Sequence, residues 1–137
     1  MRTKGILIVM VSIIVTIFAA VPGYGFDKSK LNQLLKTKKC EKCDLSKADL
    51  HGAELSGAKL AAAKLAGANM AAADLSGANL QGADMSGADL TLVNLGGANL
   101  SRAKLGKARM TGAYLTGAIW TDGKKCRTGS VGMCRKK

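Results

Sequence analysis

The chain has 137 residues, a formal charge of +12 and only 4% aromatic residues. A length in this range favours one domain. So few aromatics argue against a surface that stacks nucleic-acid bases, and nucleic acid is not an expected partner.

The first 25 residues carry an export pattern. Met1-Arg2-Thr3-Lys4 is a short basic lead, and Gly5 to Val21 is an almost unbroken apolar run. Gly23-Tyr24-Gly25 then places small residues at minus three and minus one of a cleavage between Gly25 and Phe26. Cleavage would release a periplasmic or secreted chain. The alternative is an uncleaved anchor, because the apolar run approaches the length of a spanning helix.

Residues 26–42 form the next segment. Asp27 to Lys39 is expected to be a short capping helix, with Asp27 as its N-cap and Leu31, Leu34 and Leu35 sharing one core-facing side. Lys36, Lys38 and Lys39 sit at the negative end of the helix dipole, where cations are favoured. The segment ends in Cys40-Glu41-Lys42-Cys43.

From 43 to 120 the sequence restarts every five residues, as in Ala48-Asp49-Leu50-His51-Gly52 and Ala53-Glu54-Leu55-Ser56-Gly57. A helix cannot use this period, since five residues rotate about 140° past a full turn and scatter the leucines around the axis. A flat strand would send successive leucines to opposite faces. Fixed-period self-similarity points instead to a solenoid, in which stacked units bury a continuous column. Through about sixteen consecutive units the pattern resembles the pentapeptide-repeat family, whose consensus is Ala-(Asp/Asn)-Leu-X-X.

That resemblance implies an all-β fold, a right-handed quadrilateral β-helix of about four coils. The central and minus-two side chains would point inward. Residues twenty apart should then stack, giving inward columns such as Leu45-Leu65-Met85-Leu105 and Leu60-Leu80-Leu100-Trp120. The small inward columns are nearly all alanine, with Cys43 starting one and Val93 interrupting another. One outward column reads Asp44-Lys64-Asp84-Lys104, opposite charges alternating, and another Asp49-Asn69-Asp89-Arg109; alternating charges and amide ladders are both compatible with stacking. Glu54 over Asp74 breaks the rule.

Residues 121–137 form a basic C-terminal cap loop, expected to seal the far end behind Trp120. On the implied tube the two cysteine pairs lie near 20 Å apart, beyond the roughly 7 Å Cα limit of a disulfide. This leaves Cys40–Cys43 and Cys126–Cys134, with buried free thiols at the first pair as the alternative. Haem attachment would need a histidine at position 44, which is Asp44. A shared four-cysteine zinc site would need the distant pairs to converge.

No catalytic constellation, metal site or cofactor fingerprint emerges. His51 is the single histidine and is expected on an outward corner. Six of the nine acids occupy outward repeat positions, and Met70, Met85 and Met110 replace core leucines. The expected function is therefore non-catalytic: an exported structural or protein-interaction scaffold of the cell envelope with an unidentified protein partner. Its candidate contacts are Leu92, Tyr114 and Ile119, with Arg102, Lys104, Lys107 and Arg109 making the last coil basic.

The alternative is binding to an anionic envelope surface through the ends. Residues 26–42 carry six basic against two acidic groups and 121–137 six against one, whereas 43–120 nearly balances. Some family members are implied to bind DNA gyrase as DNA mimics, but that relies on an acidic face, and this chain departs in charge sign, length and export.

Overall fold

Every fifth residue from Lys42 to Gly117 has a positive φ, between 55° and 75°. Each closes a turn in which the carbonyl of the central apolar residue accepts the N–H three residues on, as in Ala48 N to Leu45 O at 3.0 Å. A positive φ at the third residue of such a turn is the type II signature. Glycine enters this region without a Cβ penalty, which explains why it closes so many units. Lys47, Ala62, Leu92 and Arg102 take the same conformation with side chains attached, at a cost of roughly 1–2 kcal/mol each.

The computed structural model describes residues 26–136; the expected export segment, 1–25, lies outside them. Between corners the chain makes parallel β-bridges at a constant offset of twenty residues, from Lys39–Lys59 to Asn99–Ile119. Four five-residue sides therefore complete one circuit. Within each side the central N–H donates to the carbonyl nineteen residues ahead, as in Leu50 N to Asn69 O at 2.7 Å. The N–H two places later also donates upward, as in Gly52 N to Ala71 O at 2.9 Å, while Ala48 O accepts from Asn69 N at 3.0 Å.

Four inward columns follow, each belonging to one wall. The first is built on Leu45, Leu65, Met85 and Leu105, the second on Leu50, Met70, Leu90 and Met110. The third holds Leu55, Leu75, Leu95 and Leu115, and the fourth Leu60, Leu80, Leu100 and Trp120. All are buried except Leu105, Met110 and Trp120 in the last circuit, which are partly buried. The minus-two alanines lie beside them, and Val93 fits the same position fully buried.

The N-terminal end is plugged by helix α1, Lys28–Thr37. The Asp27 side chain accepts from the backbone N–H groups of Ser29 and Lys30, and Lys38 ends the helix in a left-handed conformation with its N–H on Leu34 O. Leu34 is fully buried and Leu31 partly so. Leu35, expected in the core with them, is instead 49% exposed. A ten-residue helix laid across the narrow mouth of the tube needs only the Leu31–Leu34 edge for contact. Cys40 stands beneath Leu60 at the foot of the fourth wall, and its disulfide to Cys43 crosses the first corner.

The second disulfide, Cys126–Cys134, holds the C-terminal loop. The loop closes only half of its end, contrary to the expectation of a full seal. Ser130 O accepts Leu115 N, Gly132 N reaches Ala113 O, and Tyr114 and Val131 make an antiparallel bridge over the third wall. Cys126 N donates to Ala118 O and Trp120 N to Lys124 O over the fourth. The buried Ser130 hydroxyl donates to Arg127 O and accepts Arg135 N, which fixes the loop's own turn. A loop that folds back on itself through a short disulfide leaves the first wall and most of the second uncovered, its nearest approach to the second being Gly132 at the corner of Met110 and Gly112.

Candidate interaction surface

The structure separates the candidate contact residues into two groups. Leu92 stands on the corner between the second and third walls, below Gly112, and is 65% exposed. Tyr114 lies on the third wall, its ring against Gly96, and Ile119 on the fourth beside Lys125. Lys104 and Arg109 rise from the first and second walls, with Lys107 on the corner between them, and Arg102 turns the preceding corner. The apolar and basic candidates thus occupy different walls of one tube.

Two further exposed apolar side chains, Val131 and Met133, adjoin the third wall on the cap loop. The repeat pattern gave no way to find them, because they lie beyond the last unit. Next to the fourth wall Thr116, Gly117, Lys124, Lys125, Cys126, Arg127 and Thr128 surround an open depression of about 700 Å³. Three of these groups are cationic.

The stacked charges behave differently from simple ion pairs. In the column Asp44-Lys64-Asp84-Lys104 no N···O contact comes within 4 Å among the described residues; Arg109–Asp89 at 3.6 Å is the column contact that does. The carboxylates face the turn instead. Oδ1 of Asp44, Asp49, Asp74, Asp84 and Asp89 accepts the backbone N–H two residues on, and Asn69, Asn79, Asn94 and Asn99 make the same bond. Asn69 also donates down to Asp49, and Asn94 to Asp74, both at 3.1 Å.

These bonds set the response to acid. The hydroxyl and N–H of Ser46 hold Asp44 below the usual carboxylate range, and those of Ser86 do the same for Asp84. For Asp74 the Ser76 N–H acts first and its hydroxyl second. A carboxyl whose pKa is lower folded than unfolded stabilises the fold above its unfolded value, and that contribution is lost as pH falls through the folded value. The urea midpoint is therefore expected to hold steady from pH 7 to 5 and fall below about pH 4. Asp84→Asn, which keeps the turn bond without a titrating group, should lessen the fall. An equal fall in the variant would count against Asp84 as a source of the acid response.

His51 is exposed, its backbone N–H bonded to Asp49. Among the described residues no His, Cys, Asp and Glu cluster could hold a metal ion. No helix among them is long and apolar enough to cross a membrane.

The family model for pentapeptide repeats matches in eight copies, over residues 39–61, 53–91 and 94–119. Among solved structures, HetL of the cyanobacterium Nostoc, a pentapeptide repeat protein involved in heterocyst differentiation regulation, is 38% identical, with a TM-score of 0.39. The match covers 64% of this chain and 48% of HetL, so the chain spans about half of that relative's length. A second Nostoc pentapeptide repeat protein, alr5209, is 29% identical over 63% of this chain and 77% of its own, with a TM-score of 0.37. One from the Arabidopsis thaliana thylakoid lumen is 26% identical over 65% and 78%, with a TM-score of 0.30. Among curated proteins the sequence has no match. Pentapeptide repeat proteins form right-handed β-helices, and the five-residue corners, the twenty-residue bridges and a family match over more than half of the residues lead to one assignment: the chain belongs to the pentapeptide repeat family.

Proposed function

We propose that this is a non-catalytic, exported scaffold of the cell envelope that binds a protein partner through the wall bearing Leu92 and Tyr114. The carrying observation is Leu92. A large apolar side chain, 65% exposed, is held at φ +56° on a corner where Gly112 stands one circuit later. It contributes nothing to the buried column and strains the backbone, a combination found where a contact surface is retained at a cost in stability. The apolar start of the sequence and two disulfides support a location in an oxidising compartment. Intact mass of the purified chain tests this directly, since cleavage before Phe26 and both disulfides each change the mass.

Three substitutions separate the structural and binding roles of the exposed apolar residues. Leu92→Gly is expected to raise the unfolding free energy by up to about 1 kcal/mol by relieving the left-handed strain. Leu92→Ser and Ile119→Lys are expected to weaken partner capture from the envelope fraction while leaving the fold intact. Unchanged capture by Leu92→Ser, with only monomer in size-exclusion chromatography, would remove the Leu92 wall as the interface, and unchanged capture by Ile119→Lys would show that the contact does not extend to the fourth wall.

A second reading, contact with an anionic envelope surface, is favoured by the cationic depression of Lys124, Lys125 and Arg127. It requires retention on anionic liposomes that declines steeply with salt. No retention at low salt excludes it.

A further inference from the structure

The half-closed end of the tube leaves a set of backbone groups with no partner among the described residues. In the inner circuits each side sends two N–H groups upward and takes one bond on a carbonyl. On the last circuit the N–H groups of Leu105, Lys107, Met110 and Gly112 lack acceptors, and the carbonyls of Ala103 and Ala108 lack donors. The equivalent groups on the other two walls are taken by Ser130, Cys126, Lys124 and Gly132. Leu105 and Met110 lie partly buried at the same rim, although their columns are fully buried below.

We propose that this rim is a docking site for an extended acidic segment of a partner protein, which adds to the first and second walls as a further rung. The bonding pattern specifies the occupant. An added chain in the parallel register of the body would place one triad over Ala103-Lys104-Leu105 and the next over Ala108-Arg109-Met110. Its apolar residues must therefore lie five apart to cover Leu105 and Met110, with a small residue two places before each.

Charge fixes the residue between them. The outward columns end in Lys104, above Asp84, and in Arg109, above Asp89, with Lys107 on the corner between. An acidic residue at the next position continues the alternation of the first column over Lys104 and faces the cation Arg109 on the second. A second copy of this chain fits badly. Its own C-terminal rim is equally basic, and its N-terminal end is covered by α1, with Leu34 buried and Lys28, Lys30 and Lys36 on the helix. Strand addition to an exposed edge is an established mode of peptide recognition, in which main-chain bonds give affinity and alternate side chains give specificity.

The inference rests on the reading of the chain as a protein-binding scaffold and adds a contact at the end of the tube, separate from the Leu92 wall. The probe is a ten-residue peptide with the sequence of residues 48–57, Ala-Asp-Leu-His-Gly-Ala-Glu-Leu-Ser-Gly, which carries the required triads. Titrated into the purified chain, it is expected to saturate and to slow amide exchange at Leu105, Lys107, Met110 and Gly112 by about tenfold or more. Replacing its two acids by lysine, or pairing it with the Lys104→Glu/Arg109→Glu variant, should weaken binding at least tenfold. Leu35→Ser, on the exposed side of α1 at the opposite end, should leave peptide binding unchanged.

Equal binding of the lysine peptide overturns the proposal. So does protection elsewhere on the tube, or concentration-dependent protection of these four amides without peptide, which would assign the rim to self-association. Failure of the peptide with Leu92→Ser still losing its partner sinks the rim alone. Failure of wall capture with the peptide still binding sinks the wall alone.

Discussion

Leu75→Ala is expected to lower the unfolding free energy by about 2–5 kcal/mol, the cost of an unfilled cavity in a packed core. Leu75 is fully buried in the third column, between Leu55 and Leu95. Its neighbours are held by main-chain bonds on both rungs, Leu55 N to Asp74 O and Leu75 N to Asn94 O, so the walls have little freedom to collapse inward. The same change at Leu105, which is only partly buried at the open rim, should cost distinctly less. Urea denaturation of the two variants measures the difference. Equal losses would mean that the last circuit packs as tightly as the middle, against the half-closed end described here.

The second large effect is expected from Cys126→Ser/Cys134→Ser. With a sequence separation of 8, chain entropy alone puts the bond at about 2.5 kcal/mol. Removing it should also free the loop from the third and fourth walls, since residues 127–133 contain glycines at 129 and 132 and only Ser130 is buried among them. Faster amide exchange at Leu115, Gly117 and Trp120 is the local signature. Cys40→Ser/Cys43→Ser opens a bridge of separation 3 and should cost less, because α1 still covers that end. Unchanged exchange at Leu115 in the first variant would show that the loop holds its place without the bond.

Much of the tube was legible because one physical rule repeats. A small residue followed two places later by a large apolar one, every five residues, forces both inward once twenty residues make a circuit. Leu55, Leu75, Leu95 and Leu115 stack on that rule alone. What escaped depended on where repetition stops. Leu35 looks like a core residue on a helical wheel, yet the mouth of the tube accepts only Leu34 fully. The charge columns predicted stacking correctly at the level of register. They did not reveal that each aspartate turns to a backbone N–H before it meets a lysine. The end loop departs from the pattern for the same reason as Leu35: composition and a disulfide pairing do not state how many walls a short loop can span.

The turn bond made by Asp44, Asn69, Asp74 and Asn94 needs one side-chain oxygen and is indifferent to whether that oxygen carries charge. Lys64 and Lys104 occupy the same position in their units with no such bond and keep the rung. Polarity can therefore be repainted across the outer skin of this scaffold while its architecture stays put. Relatives that share the shape need share nothing in their electrostatic appearance, and any one wall can be retuned for a new acquaintance without renegotiating the interior.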